Sequence, residues 1–340
     1  MLDTVDIPYK SGFIAIIGRP NAGKSTLLNR LLGAKVAIVS EKPQTTRNQI
    51  RGIYSDERMQ AVFMDTPGVM KPRHKLDERM MRAVSDSLAN CDLVLYLVDV
   101  NEPYGKGEQY IIETLLETNG KLQMANGKAN GKANGKLQMA NGKLGSGGKL
   151  ESGGKSQVGA PVFLVLNKVD KLEKAALLPL IAAWSARFAA AELTPISAVS
   201  GENCSRLLDL ICQYLPPGPR YYPEDMVSDQ PEQLLLAELV REQVLKRTAQ
   251  EIPHAVAVTI SAMEERPENR LYVEANIYVE RESQKGILIG KNGAMLKQVG
   301  SAARREMENL LACPIYLELR VKTKKDWRNN ERLLKNWDSF

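Results

Sequence analysis

GFIAIIGRPNAGKSTLLNRLL, residues 12–32, is the stretch whose reading decides the fold. GFIAII is a strand-sized apolar run, GRPNAGKS a glycine-containing turn, and Lys24 to Leu32 repeats its apolar residues at helical spacing. The turn fits the GxxxxGK[ST] pattern. Its glycines let successive backbone N–H groups point inward, and the helix N-terminus behind them adds positive potential toward an anion. Lys24 is expected to reach β- and γ-phosphates and Ser25 to hold Mg²⁺, with Gly18, Arg19, Pro20, Asn21, Ala22, Gly23 and Thr26 forming the rest of the cradle.

Outward from this unit, strand-like runs recur at Gln60 to Met64, Leu93 to Val98, Val162 to Leu166 and Thr194 to Ile196. Helical segments lie between them, near residues 76–89, 107–118, 175–191 and 203–214. Buried strands alternating with helices predict an α/β domain over residues 1–215, with a mixed, mostly parallel sheet covered by helices on both faces. PPGPRYYPEDMVSDQPE, residues 216–232, is proline-rich and apolar-poor, and reads as a linker. Residues 233–340 change pattern. An amphipathic helix (233–249) precedes two alternating strands (His254 to Met263 and Leu271 to Glu280), with the polar EERPEN between them. A short apolar segment (GILIG), a helix at 294–311 and the strand PIYLELRVK follow. The order α, β, β, α, α, β suits a compact α+β domain.

The chain has 340 residues, 44% hydrophobic and 25% charged, enough for two cored domains. No apolar run approaches the ~18 residues of a membrane helix. The N-terminus lacks a secretory apolar region, and four cysteines without a CxxC pair fit neither a zinc knuckle nor a disulfide scaffold. A reduced cytoplasm is the expectation. The net charge of +6 is uneven: residues 120–156 carry seven Lys and one Glu, and residues 281–340 carry thirteen basic against seven acidic residues. A basic C-terminal end suits a polyanion partner, although a solvated face would also explain it. Residues 120–156 repeat KLQMANGK and run into GSGGKLESGGKSQ; so polar a tract is expected to be disordered, as a tolerated spacer or as a basic RNA-touching tail.

Three further strings sit at strand ends. NKVD, residues 167–170, selects guanine: Asp170 can accept from guanine N1 and the exocyclic amine, Asn167 can meet the purine edge, and the Lys168 stem can lie along the base. SAVSG follows a later strand, with Ser197 in the turn and the Ala198 amide expected at the guanine oxygen. DTPG places Asp65 at Mg²⁺ and the Gly68 amide at the γ-phosphate, with Thr66 and Pro67 between. Thr45 or Thr46 supplies the second metal hydroxyl, with Thr46 preferred. Lys24, Thr46, Asp65 and Gly68 are thus the candidate catalytic group, and Ser25, Thr46 and Asp65 the candidate metal ligands. Each string alone is an ordinary turn; together, in order, they resemble the GTP-binding domain of translation-factor-related GTPases. Asp65 and Asn167 stand 102 residues apart, and removing the 37-residue tract leaves an ordinary spacing.

Val69 follows DTPG where many such GTPases carry a water-orienting Gln, which predicts slow intrinsic hydrolysis. The resemblance suggests a remedy, K⁺ held beside the phosphates by Asn21. In the C-terminal domain, GILIGKNGAMLKQVG (286–300) carries GKNG: Gly290 and Gly293 permit close approach of single-stranded RNA, and Lys291, with Asn292 beside it, adds charge for the phosphates. Lys297 joins that basic edge, while Ile287, Ile289 and Leu296 line a groove for bases. This matches the GxxG loop of a type II KH domain. The tail VKTKKDWRNNERLLKNW, with interleaved Trp residues, suits an RNA surface or a docking helix.

The combination of one GTP-binding domain, a proline-rich linker, YVERESQKGILIGKNG and the ending KKDWRNNERLLKNW resembles the Era family of bacterial ribosome-assembly GTPases over nearly the whole chain outside 120–156. The resemblance implies a P-loop GTPase using GTP/GDP and Mg²⁺. It further implies a KH grip on the 3′ end of small-subunit ribosomal RNA, a role in small ribosomal subunit assembly, a monomer, and cytoplasmic residence with peripheral membrane association. Two other classes fit some residues: an RNA chaperone in which occupancy matters more than turnover, and a membrane-linked signalling GTPase.

Overall fold

The computed structural model describes residues 8–118, 159–248, 252 and 255–337. The expected disorder of 120–156 lies outside them. The first domain is built from β1 (Lys10–Gly18), α1 (Lys24–Leu32), β2 (Ile50–Ser55), β3 (Met59–Asp65), α2 (Lys75–Ala89), β4 (Leu93–Asp99), α3 (Lys106–Thr118), β5 (Val162–Asn167), α4 (Lys174–Arg187), β6 (Glu192–Ile196) and α5 (Cys204–Tyr214). Its six strands run in the order β2-β3-β1-β4-β5-β6, all parallel except the edge strand β2, which is antiparallel to β3. Leu27, Leu28 and Leu31 of α1 and Leu207 and Ile211 of α5 pack on one face. Val84 of α2, Ile111 and Leu115 of α3 and Trp184 of α4 cover the other. Strands buried on both faces must be apolar throughout, and β3 and β5 are buried at every position.

Two sequence expectations change here. IRGIYS carries no strand signal, because its short mix of Ile, Arg and Gly has no clean period, yet it forms β2 against β3. α4 stops at Arg187 and not at residue 191, because Phe188 leaves the helix with extended backbone and is buried in the core beside Tyr96.

The segment 216–232 is pinned along the sheet. The Ile53 amide donates to the Val227 carbonyl (2.9 Å), Gln60 Oε1 accepts from the Tyr221 and Tyr222 amides (2.7 and 3.0 Å), and Arg51 pairs with Asp229 at 3.1 Å.

The second domain comprises α6 (Glu232–Arg247), β7 (Ala257–Arg266), β8 (Arg270–Val279), α7 (Glu282–Ile289), α8 (Ala294–Leu311), β9 (Ile315–Thr323) and α9 (Glu331–Trp337). β8 pairs antiparallel with β7 and parallel with β9, and α6, α7 and α8 bury Leu236, Val240, Leu288, Val299 and Met307 against the sheet. β7 lies a few residues later than expected. EER continues the strand, and the reversal falls on Glu268 and Asn269, both with positive φ (66° and 54°). The tail is structural: Trp327 is 1% exposed, donates its indole N–H to the Ala255 carbonyl (3.0 Å), and leans on Trp337, which stacks on Tyr278. Of the two readings of its tryptophans, docking is the one observed.

α6 departs most from expectation. A helix read as amphipathic should keep a wet face, yet Leu236 to Leu245 are buried with the single exception of Glu238, and the buried set includes Arg241, Glu242 and Gln243. The reason is tertiary: one face serves the second domain's core, and the other is covered by the loop after α1.

Candidate functional site

Parallel strands bring their carboxyl ends to one edge, so the loops after β1, β3, β5 and β6 converge on a single cleft of about 850 Å³. Pro20, Asn21, Gly23, Lys24, Ser25, Thr26, Thr46, Gly68, Lys168 and Asp170 line it. The other nucleotide candidates, Gly18, Arg19, Ala22, Asp65, Thr66, Pro67, Asn167, Ser197 and Ala198, are not among its lining residues. Several of these support the lining. Gly23 precedes α1 with φ 96°, and a Cβ there would meet Asn167 Nδ2 at 2.3 Å. A Cβ on Gly68 would strike the Pro20 backbone nitrogen at 2.6 Å. Val69 N–H donates to the Gly18 carbonyl at 3.1 Å, while Thr66 is buried with its hydroxyl on the Ile16 carbonyl (2.7 Å). The DTPG loop therefore rides directly on the phosphate loop.

Lys24 is almost fully buried, its ammonium donating to the carbonyls of Gly18 (3.2 Å) and Arg19 (3.0 Å), and burial pulls its pKa down to about 8. The Arg19 side chain turns away, 3.8 Å from Glu108, a buried carboxylate that also accepts from Tyr96.

The predicted metal ligands meet. Ser25 Oγ lies 2.6 Å from Asp65 Oδ2 and 2.9 Å from Thr46 Oγ1, and Thr46 donates to Asp65 Oδ2 at 3.3 Å. Asp65 is wholly buried, burial pushes its pKa up to about 6, and its Oδ1 has no hydrogen-bond partner. Two hydroxyls beside a carboxylate with an orphaned oxygen fit a hard divalent cation such as Mg²⁺. Thr45 points elsewhere, its hydroxyl on the Lys42 carbonyl (2.6 Å), so of the two threonines Thr46 is the one beside Ser25 and Asp65.

At the base end, two expectations shift. Asn167 donates from Nδ2 to the Ala22 carbonyl (2.8 Å) and accepts at Oδ1 from the Ala198 amide (3.0 Å). Its amide braces the phosphate loop against the SAVSG turn instead of standing free for the purine edge, and the Ala198 amide is engaged with it. Lys168 has φ 70° and pairs with Asp99 at 2.6 Å, which fixes its stem, and Asp170 stands exposed at the cleft.

The residues missed by sequence reasoning lie between the domains. Ile38 belongs to the second domain's apolar core. Val39 N–H donates to Glu242 Oε1 at 3.0 Å, Lys35 pairs with Glu242 at 2.7 Å, Arg241 donates to the Thr45 carbonyl, and Arg47 donates to the Val256 carbonyl at 2.6 Å. The loop that carries Thr46 is thus stitched to α6 and its domain on both sides of that residue. No local pattern signals this, because polar residues within a helix read as a solvated face.

In the second domain, Gly290 and Gly293 have positive φ (73° and 78°), as does Asn292 at 52°, so the GKNG loop turns tightly between α7 and α8. Lys291, Asn292 and Lys297 are exposed, Ile287 is half exposed, Ile289 is partly so, and Leu296 packs on the core. Leu296 can therefore offer only part of its surface to a groove. Among the described residues, no cluster of three or more His, Cys, Asp or Glu could hold a metal, and no helix is long and apolar enough to cross a membrane.

Residues 13–126 match a family model described as a 50S ribosome-binding GTPase, and residues 251–328 match a KH domain. A crystal structure of Era in complex with MgGDPNP and nucleotides 1506–1542 of 16S ribosomal RNA is similar over 97% of this chain and 98% of its own, at 34% identity and a TM-score of 0.82. This chain belongs to the Era family. It is a GTPase with a KH domain. A second Era structure, a point variant from Aquifex aeolicus bound to GDP and AlF₄⁻, matches at 34% identity and a TM-score of 0.82, covering 96% of this chain and 98% of that one. The Era likeness thus extends through both domains and the segment that joins them.

Proposed function

We propose that this Era-family GTPase uses its nucleotide state to set how its KH domain holds the 3′ end of small-subunit ribosomal RNA during assembly of the small subunit. Its division at 1–215, 216–232 and 233–340 is part of this reading. One observation carries it: the loop bearing Thr46 is tied to Arg241 and Glu242 of α6, so a hydroxyl that answers to the metal shares a backbone segment with the KH domain.

Mg²⁺ supplies charge neutralisation between the phosphates and is held by Ser25, Thr46 and Asp65. Lys24 offers its ammonium to the β- and γ-phosphates, exchanging two backbone carbonyls for them. Gly68 presents its amide to the γ-phosphate, and Asp170 reads guanine. Water attacks the γ-phosphorus, the bond to the β–γ bridging oxygen breaks, and GDP and phosphate leave without a covalent intermediate. Val69 is 4% exposed and packs in the core, so it orients no water, and turnover relies on another group. K⁺ beside Asn21 is that group in this reading; Asn21 Nδ2 donates to the Glu41 carbonyl at 2.7 Å, next to the phosphate loop. Equal turnover of the wild type in Na⁺ and K⁺ would reject it.

RNA binding falls to Gly290, Lys291, Asn292 and Gly293, with Lys297 and the apolar Ile287, Ile289 and Leu296 beside them. Monomeric action in the cytoplasm, with peripheral contact at the membrane's cytoplasmic face, rests on the family resemblance alone. The test uses the full chain: Lys24→Ala and Asp170→Ala should abolish GTP binding and leave the RNA affinity measured without nucleotide intact. Asp at both Lys291 and Asn292 should weaken RNA binding and spare nucleotide. Retained GTP affinity in the first pair overturns the nucleotide site, and unchanged RNA affinity in the second overturns the groove.

A further inference from the structure

The wall of the nucleotide cleft is not supplied by the GTPase domain alone. Leu245 and Lys246, from the last turn of α6 in the KH domain, line it beside Ile38, Val39, Ser40 and Glu41. Three contacts hold that turn in place. Leu245 and Ile38 share one apolar cluster. Glu242, 1% exposed, accepts from Lys35 at 2.7 Å and from Val39 N–H at 3.0 Å. Lys246 lies 3.2 Å from Glu242 Oε1, the oxygen that also receives the Val39 amide, so one carboxylate oxygen holds the ammonium beside the Val39 backbone.

Asp170 and Val199 mark the base end, and Gly23, Lys24 and Ser25 mark the phosphate end. Val39 lies on the segment running from the end of α1 to Thr46, and Thr46 has reached Ser25. The Lys246 ammonium, held beside Val39, lines the same cleft as both of these ends. The Lys246 side chain is 45% exposed, so it is free to move between Glu242 and a ligand, and Glu242 keeps Lys35 as a partner if Lys246 leaves.

We infer that Lys246 is a nucleotide-binding residue lent by the KH domain, whose ammonium contacts the ribose and α-phosphate of the guanine nucleotide. This rests on the nucleotide site proposed above and adds a ligand to it. Because the contact exists only while α6 is docked, it makes nucleotide affinity depend on KH placement, and by linkage KH placement depends on nucleotide by the same factor. It acts on diphosphate and triphosphate alike, since neither ribose nor α-phosphate changes on hydrolysis.

The experiment measures GDP and non-hydrolysable GTP-analogue affinity of the full chain carrying Lys246→Ala, Lys246→Arg, Lys246→Glu or, as a control, Lys24→Ala. Loss of one partly exposed charge-assisted hydrogen bond should weaken both nucleotides roughly 3- to 10-fold in Lys246→Ala. Lys246→Glu should weaken them further, and Lys246→Arg should restore most of the affinity. The melting temperature of the nucleotide-free protein should stay close to wild type in Lys246→Ala, where Glu242 keeps Lys35, and in Lys246→Arg. Wild-type affinity in Lys246→Ala and Lys246→Glu, with binding lost in Lys24→Ala, overturns the inference and leaves the site standing. A weakened affinity that tracks a lowered nucleotide-free melting temperature, without rescue by Arg, also overturns it by making Lys246 a structural residue. Retained binding in Lys24→Ala would instead refute the nucleotide site itself.

Discussion

Asn167 joins two loops through one amide: its donor goes to the phosphate loop and its acceptor takes the amide of the SAVSG turn, at a residue 1% exposed. Asn167→Ala strands a buried carbonyl and a buried N–H, each costing about 1–3 kcal/mol. Denaturant unfolding should show a loss in that range, with a parallel loss of GTP affinity; unchanged stability would mean that water replaces the amide at no cost. Val69 makes the complementary case. Its buried position predicts that Val69→Gln lowers stability, by about 1–3 kcal/mol for a polar group without partners, and fails to accelerate hydrolysis. Faster single-turnover hydrolysis in that variant would show that a side chain at 69 can reach the attacking water. The chemistry-bearing residues at this scale are legible in the sequence because phosphate and guanine recognition need fixed residue types at strand ends. The motif finds Asn167 but not the loops it braces, since a sequence does not say which neighbours a buried amide serves.

At the scale of elements, most of the α/β alternation is legible, because strands buried on both faces must be apolar along their whole length. β2 is not, since an edge strand with Arg and Gly carries no such signal. α6 misleads for a related reason: Arg241 and Glu242 look like a wet face, and only the packing of the loop 35–47 against them makes them interior. Burial alone would push Glu242 up, but Lys35, the Val39 amide and Lys246 hold its carboxyl below the usual range. A depressed carboxylate contributes stability that is whole above its unfolded pKa, about 4.3, and fades as pH falls through the folded value. Glu242→Gln should therefore lose stability at neutral pH and flatten the acid limb of the stability profile. An acid limb as steep as in the wild type would remove Glu242 from the docking contacts. At the C-terminus, Trp327→Ala should cost about 3–5 kcal/mol, as expected for a large buried aromatic, and an unfolding midpoint close to wild type would contradict the docking role of the tail.

At the scale of the whole molecule, the two domains share one loop. Ile38 is committed to the KH core, and Thr46, eight residues later, is committed to the cluster with Ser25 and Asp65, with Arg241 and Arg47 fastening the chain on either side. Any displacement of Thr46 would therefore be carried to α6. Arg241→Ala combined with Glu242→Ala should preserve the RNA affinity of the nucleotide-free chain, lower nucleotide affinity no further than Lys246→Ala does, and erase most of the dependence of one site on the other. The most direct measurement is the affinity of the full chain for a 3′-terminal fragment of small-subunit ribosomal RNA, saturated in turn with GDP and with a non-hydrolysable GTP analogue. Coupling energies of about 1–3 kcal/mol predict a difference of roughly 5- to 150-fold, reduced toward unity in the Arg241/Glu242 double variant. Equal RNA affinity in the two nucleotide states of the wild type would contradict the account.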